Sequence, residues 1–271
     1  MSIKNPLRYP GAKSKLYDYI CKLLIAEQRT GCTFYEPFAG SAAISLLLLE
    51  NQVISKAVLN ELDPLLYNFW FSVFNHTEEL ITLIRNTDIT LENWHEFSLY
   101  RNNDYLQDKT SVQIGFAGLF LNRTNFSGIL KANPLGGLNQ QSQYPINCRF
   151  NKDKIINSIQ QLSLYGNKIT LYNLDAIDFM KQALRYKRNR KTFVYIDPPY
   201  YKEGANLYRC YYTHEQHMLL SKFILSKTYP WLISYDNAEE IRKMYKQLSP
   251  LTIHMHYSVP QETPKSYSYL I

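Results

Sequence analysis

The sequence predicts an α/β protein: a parallel-type, seven-stranded sheet built from crossover units, interrupted by one mainly helical insertion. Three observations carry that expectation. Short apolar runs recur ahead of helical stretches, the alternation that crossover units leave in a sequence. Several of those stretches open on residues suited to cap a helix. One segment, 77–150, lacks the alternation and reads as an insertion between the second and third strands.

Strands are expected at Thr33–Tyr35, Ala57–Leu59, Ile169–Tyr172, Thr192–Ile196, Trp231–Ser234, Leu251–His256 and Ser266–Ile271. Runs this short do not separate strand from helix by period alone, so the flanking signals decide. Asp63 followed by Pro64 reads as an N-cap with proline at the first helical position, opening a helix through Leu65–Phe74. Thr213–Gln216 and Asn237–Glu240 have capping-box form, and Asn151 caps a helix expected to end at Gly166. Within 77–150, helical pieces give way to NPLGGLNQQSQYPIN, a polar, glycine-containing loop.

Composition bounds the function classes. The chain has 271 residues, 45% of them hydrophobic and 20% charged, enough for a sizeable core and unlike a disordered chain. A formal charge of +7 makes a polyanionic partner plausible without proving one. Cys21, Cys32, Cys148 and Cys210 form no CxxC and have no histidine at metal-ligand spacing, so neither zinc nor a disulfide framework is expected. The opening MSIKNPLRYPGAKSKL lacks the apolar run of a signal peptide, and no apolar run approaches the ~20 residues of a membrane span. Secreted and membrane readings are therefore disfavoured.

Ligands of open parallel sheets sit beyond the carboxyl ends of strands. The first expected strand ends in Glu36-Pro37-Phe38-Ala39-Gly40-Ser41 and leads into the helical run AAISLLLLE. Gly40 permits a tight turn, Ser41 can cap, and the following amides face whatever lies above the strand. Such a turn fits plain topology as well as a cofactor site, and it is not the GxGxxG of dinucleotide binders. About 20 residues on, Glu61 ends the second strand where an acid holds ribose hydroxyls; by itself it equally fits a solvated loop acid.

The fourth strand ends in Asp197-Pro198-Pro199-Tyr200. Neither proline can donate to a ladder, so the strand stops there and the loop is stiffened. That fixes the Asp197 carboxylate and the Pro198 carbonyl as two rigid acceptors, with the Tyr200 ring beside them. The set suits a planar base bearing an amino group: the hydrogens go to the acceptors and the ring stacks on the base. An exocyclic amine is a poor nucleophile because its lone pair is delocalised into the ring. Holding both hydrogens favours a pyramidal nitrogen aimed at an electrophile, and alignment alone is worth about 7–11 kcal/mol of barrier.

These residues resemble the Dam-like, D12-type DNA adenine-N6 methyltransferases, and the resemblance runs from Asn5 to Ile271. It implies a Rossmann-like methyltransferase sheet, with 1–76 and 151–271 binding S-adenosylmethionine and 77–150 recognising the target. Arg8-Tyr9-Pro10-Gly11-Ala12-Lys13 is similar to the family's aromatic-small-Gly-Gly-Lys stretch, with Ala12 where a second glycine is usual and Tyr9 where tryptophan is common. The likeness implies that Tyr9 packs on the cofactor and Lys13 reaches toward it. It further implies Phe38 and Gly40 beside the cofactor, Glu61 on its ribose, Asp175 near its adenine, and Asp197, Pro198 and Tyr200 in the catalytic roles above. Asp175 also fits a simple helix cap.

In the insertion, Leu121–Lys131 is similar to the family's DNA-reading hairpin region. Phe126 is then expected to wedge near a flipped base, with Ser127 and Lys131 at base edges; GATC-reading members prefer asparagine and arginine at those two positions, which argues for another target. Charge supports DNA contact independently. Between Leu121 and Lys154, Arg123, Lys131, Arg149, Lys152 and Lys154 face the single acid Asp153, interleaved with Asn, Gln and Phe126. A second cluster, Lys181, Arg185, Lys187, Arg188, Arg190 and Lys191, precedes the Asp197 strand and is expected at its amino end, solvated and without effect on catalysis.

The resulting expectation is a monomeric enzyme that swings an adenine out of duplex DNA and methylates it in one in-line displacement, with no metal. It would act in the cytoplasm of a bacterial or virus-infected bacterial cell, where a cognate restriction endonuclease is a partner without direct contact. A cytosine-N4 methyltransferase, an RNA or protein amide methyltransferase and a non-catalytic DNA-binding subunit of the same fold remain as alternatives.

Overall fold

A computed structural model describes residues 4–8, 14–185, 191–248, 250–256 and 266–270. Along the chain run α1 (Ser14–Ala26), β1 (Thr33–Glu36), α2 (Ala43–Glu50), β2 (Lys56–Asn60), α3 (Pro64–Asn75), α4 (Thr77–Asn86), α5 (Leu91–Ser98) and α6 (Ser111–Thr124). After two short 3-10 turns before α6 and one after it come α7 (Lys152–Ser163), β3 (Ile169–Tyr172), α8 (Ala176–Ala183), β4 (Thr192–Ile196), α9 (Gly204–Leu207) and α10 (His214–Leu225). The chain closes with β5 (Trp231–Ile233), β6 (Tyr235–Asp236), α11 (Glu239–Met244), β7 (Thr252–His256) and β8 (Ser266–Leu270).

Five strands form a sheet in the order β3-β2-β1-β4-β5. β1 runs parallel to β2 and to β4, in register Phe34 opposite Ala57 and Phe193, and β4 runs parallel to β5. Every residue of β4 is buried, the continuous apolar strand expected when both faces are covered. The expected single sheet of seven strands is corrected: among the described residues the parallel sheet has five. The last two expected strands exist, but they pair antiparallel with each other and with β6 as a separate sheet, β6-β8-β7. Ser234 N–H makes the last rung of the β4–β5 ladder, to the Ile196 carbonyl at 2.9 Å, and directly after it Tyr235 and Asp236 pair with β8.

The chain divides into two compact units, Met1–Pro10 with Glu61–Asn173 and Gly11–Asn60 with Leu174–Ile271. In the first, α3 and α6 pack backbone to backbone. A Cβ on Gly115 would lie 2.8 Å from Phe69 Cα, and one on Gly118 would lie 2.9 Å from the Leu65 carbonyl carbon. Around this seam Phe69, Trp70, Phe116 and Phe120 are fully buried, each adding about 1.5–3 kcal/mol. Gly115→Ala is therefore expected to destabilise this unit by about 1–3 kcal/mol, read as a lower urea midpoint, because rigid main chain cannot yield to the methyl. In the second unit, Phe34 stacks on Phe193 at 5.8 Å between neighbouring strands.

Local signals fare unevenly. Asp63 caps α3 by accepting from Leu65 N–H, Asn151 caps α7 through Lys154 N–H, and Thr213 with Gln216 forms a capping box on α10. Asn237–Glu240 does not: α11 starts after Ala238 without a side-chain cap, and Asn237 Oδ1 instead accepts from Arg242 Nε at 2.6 Å. α7 stops at Ser163, three residues before Gly166, whose φ is not positive. Ser41 does not cap α2; the position before the helix is Ala42, held left-handed at φ 49°.

Candidate active site

The strand order reverses between β1 and β4, the switch point where open α/β sheets place their ligands. Asp197 follows β4 directly and is 7% exposed. Its Oδ1 accepts a hydrogen bond from Ser234 Oγ at 2.8 Å, and Ser234 Oγ lies 2.9 Å from Tyr195 Oη. Pro198 is buried and Tyr200 partly so, the Tyr200 ring meeting Tyr208 edge-on at 6.1 Å. The next two residues are held as well: Asp236 on β6 accepts from Tyr201 N–H at 2.7 Å and from Lys202 N–H at 3.2 Å. The tetrapeptide is thus gripped at both ends, at Asp197 by Ser234 and beyond Tyr200 by Asp236.

At the end of β1 the backbone turns through Gly40 at φ 50° and Ala42 at φ 49°. Glu36 is buried and accepts from Ser45 Oγ on α2 at 2.6 Å. Phe38 meets the Tyr212 ring edge-on at 5.3 Å, and Tyr212 Oη donates to Asp175 Oδ2 at 2.8 Å. Asp175 Oδ1 meanwhile caps α8 through Ile177 N–H at 2.8 Å, so the cap reading of Asp175 is seen directly. Burial and the adjacent carboxylate push the Tyr212 hydroxyl well above its usual range, so it stays a donor. Behind Tyr212, burial and His214 pull His217 down to about 4, leaving it a neutral imidazole beside the Tyr235 hydroxyl.

Sequence reasoning missed three of these residues. Tyr212 ties Phe38 to Asp175, although one tyrosine among 23 carries no signal of its own. Asn60, 1% exposed, links the two loops: its amide donates to the Pro37 and Leu174 carbonyls while its oxygen accepts from Leu174 N–H. A polar residue directly after the apolar run Ala57–Leu59 was the available clue. Ser234 is the third.

Glu61, the residue after β2, is partly buried. Its N–H donates to the Tyr172 carbonyl at 3.1 Å, its Oε1 accepts from Asp63 N–H at 2.9 Å, and its carbonyl accepts from Asn173 Nδ2. Both its backbone and its carboxylate are therefore fixed. Tyr9 and Lys13 lie outside the described residues, as do Lys187, Arg188 and Arg190. Lys191 immediately precedes β4, at its amino end, while Lys181 is in the last turn of α8 and Arg185 just beyond it.

In the first unit the 122–131 segment hangs on asparagine side chains. Asn122, 1% exposed, accepts from Arg8 N–H and donates to the Arg8 and Gly128 carbonyls. Asn125, fully buried, accepts from Trp94 Nε1 at 2.7 Å and donates to the Ile129 and Leu130 carbonyls. Arg101 grips the Leu130 and Ala132 carbonyls. These two asparagines hold the loop's shape. What the scaffold presents is different: Phe126 is 65% exposed, Ser127 is left-handed at φ 54°, and Lys131 is exposed. The expected hairpin is reduced to one antiparallel bridge, Asn125 with Pro134. Arg123 is half buried, and burial with Arg8 and Arg149 nearby pulls its guanidinium down to about 10, so it remains a cation.

A doubly wound parallel sheet with a stiff carboxylate loop at its switch point defines the class: an α/β enzyme acting on a ligand held above its strand ends. The chain from residue 9 to 259 matches the D12 class N6 adenine-specific DNA methyltransferases, and it belongs to that family. It is similar to the type II methyltransferase M.MjaIII of Methanocaldococcus jannaschii, 25% identical over 210 residues, which span 74% of this chain and 70% of the relative. It is 26% identical over 245 residues to the type II methyltransferase M1.LlaDCHI of Lactococcus lactis subsp. cremoris, spanning 89% and 75%. With the type II methyltransferase M.CviBI of Paramecium bursaria Chlorella virus NC1A it shares 26% identity over 215 residues, 79% and 76% of the two chains. The chain is thus an adenine DNA methyltransferase, and methyltransferases of this kind draw on S-adenosylmethionine. The chemistry at the end of β1 fits that cosubstrate: Phe38 and Tyr212 offer aromatic surface, Asp175 a carboxylate, and left-handed Gly40 and Ala42 a close approach of main chain.

Proposed function

We propose that this enzyme methylates the N6 amino group of an adenine extruded from duplex DNA, with Asp197, the Pro198 carbonyl and Tyr200 holding the base. The observation that carries the reading is the buried, proline-stiffened Asp197 whose carboxylate is fixed by Ser234 at 2.8 Å. Extrusion costs a few kcal/mol, and stacking on Tyr200 with two acceptor contacts offsets it. When bound, S-adenosylmethionine supplies an electrophilic sulfonium methyl carbon. Asp197 and the Pro198 carbonyl accept the two amino hydrogens and turn the nitrogen lone pair out of the ring plane. With the cosubstrate in place, the N–C bond would form as the C–S bond breaks, and the thioether would leave with the sulfur electron pair. The proton of the resulting cationic nitrogen, acidic enough to need no strong base, would pass through its hydrogen-bonded acceptor Asp197 to solvent. Asp197 serves as orienter and acceptor, not as a strong base.

Glu61 is assigned to the ribose hydroxyls, and Phe38, Gly40 and Asp175 to the rest of the cosubstrate, with Tyr9 and Lys13 assigned there by family likeness. On the DNA side, exposed Phe126 is assigned as the wedge, Ser127 and Lys131 as base-edge contacts and Arg123 as a phosphate contact. A companion restriction endonuclease, a monomeric state and a cytoplasmic location belong to the same reading. Among the described residues no helix is long and apolar enough to cross a membrane. Incubation with S-adenosylmethionine and DNA lacking methylated bases, followed by mass spectrometry of the nucleosides, is expected to yield N6-methyl-2′-deoxyadenosine. N4-methylcytosine, or no modified base, would overturn the proposal.

A further inference from the structure

Ser234 occupies the single-residue break between β5 and β6, and it makes three hydrogen bonds with residues 195–197 at the end of β4. Its N–H donates to the Ile196 carbonyl at 2.9 Å, tying its main chain to the residue before Asp197. Its hydroxyl reaches Asp197 Oδ1 at 2.8 Å and Tyr195 Oη at 2.9 Å. Ser234, Tyr195 and Asp197 are 1%, 2% and 7% exposed, so water does not compete for these contacts.

The proton count fixes the direction of this chain. An ionised carboxylate only accepts, so the one Ser234 proton goes to Asp197. Tyr195 must then donate to Ser234, because the serine has no second proton to give. The result is a one-way relay, Tyr195 O–H to Ser234 O–H to Asp197 Oδ1, in which each bond polarises the next.

We propose that Ser234, backed by Tyr195, is a positioning residue for methyl transfer: it sets the rotation of the Asp197 carboxylate so that it converges with the Pro198 carbonyl on one amino group. This rests on the reading of Asp197 as the amino-group acceptor. The two acceptors differ in how they are held. The Pro198 carbonyl belongs to a backbone stiffened by two prolines, whereas the terminal torsion of an aspartate is broad and soft. A charge-assisted hydrogen bond from a residue itself pinned to β4 removes that freedom. Reactions that depend on aligned partners are sensitive to such small displacements.

The test compares Ser234→Ala, Ser234→Thr, Tyr195→Phe, the Ser234→Ala/Tyr195→Phe double variant and Asp197→Ala in steady-state methylation of DNA free of N6-methyladenine. Affinity for S-adenosylmethionine is measured separately by calorimetry. Ser234→Ala is expected to lower kcat about 10- to 100-fold, with KM for DNA and S-adenosylmethionine affinity unchanged. Ser234→Thr, which keeps the hydroxyl, retains most of the rate. Tyr195→Phe loses less than Ser234→Ala, and the double variant loses no more, because Tyr195 acts only through the serine. Wild-type kcat in Ser234→Ala, a loss appearing equally in cosubstrate affinity, or full additivity in the double variant overturns the positioning role. Should Ser234→Ala not fold, Tyr195→Phe decides: it leaves the serine–aspartate contact in place, and an unchanged kcat sinks the relay. Asp197→Ala separates the two readings. If it still turns over, the acceptor role of Asp197 fails; if it is dead while Ser234→Ala is fully active, only the positioning role fails.

Discussion

Replacing Asp197 by alanine is expected to abolish methyl transfer, a loss of at least ~10³-fold in kcat, while S-adenosylmethionine still binds and the protein still folds. Folding survives because the substitution removes a charge from a site that is 7% exposed; what remains is a Ser234 hydroxyl without its acceptor, a cost of about 1–3 kcal/mol. Asp197→Asn is a sharper probe. Its single carbonyl oxygen can serve Ser234 or the substrate amino group, and its NH2 presents hydrogens where the reaction needs lone pairs. It should therefore fall between wild type and alanine. Single-turnover assays with tritiated S-adenosylmethionine measure both, and undiminished turnover in the alanine variant removes Asp197 from the reaction.

Glu61→Ala is expected to weaken S-adenosylmethionine binding on the order of 100-fold with a much smaller effect on the rate at saturating cosubstrate. A carboxylate that accepts from ribose hydroxyls makes charge-assisted bonds present in ground and transition states alike, so its loss falls on binding. The same carboxylate accepts from Asp63 N–H at 2.9 Å, and Asp63 caps α3. A modest loss of stability is therefore expected alongside, and Glu61→Gln, which keeps an acceptor for that N–H, should restore stability without restoring full affinity. Calorimetric titration of the two variants separates these effects. Unchanged affinity in Glu61→Ala removes the residue from the cosubstrate site.

Some of the site was legible because its signals are local. Two prolines after an acid at the end of an apolar strand announce a stiff carboxylate whatever surrounds it, and the strand order confirms that the loop lies at the switch point. Asp63-Pro64 and Thr213–Gln216 cap their helices because a cap involves residues only two or three positions apart. Asn237–Glu240 has the same form and fails, since Arg242 takes the asparagine oxygen. The asparagines of the 122–131 loop are ambiguous in sequence for a related reason: an amide suits a base edge and a backbone carbonyl equally, and only the fold shows that Asn122 and Asn125 spend theirs on carbonyls.

By itself the sequence determined the alternation of strand and helix, the stiff tetrapeptide and the family to which the chain belongs, since each is written in contiguous residues or short spacings. Tertiary structure alone decided that among the described residues the parallel sheet has five strands, that Tyr212 joins Phe38 to Asp175, and that Ser234 reaches the Asp197 carboxylate 37 positions away. A hydrogen bond between distant segments depends on which strands become neighbours. Local propensity carries no record of that choice; the packing of the whole sheet makes it.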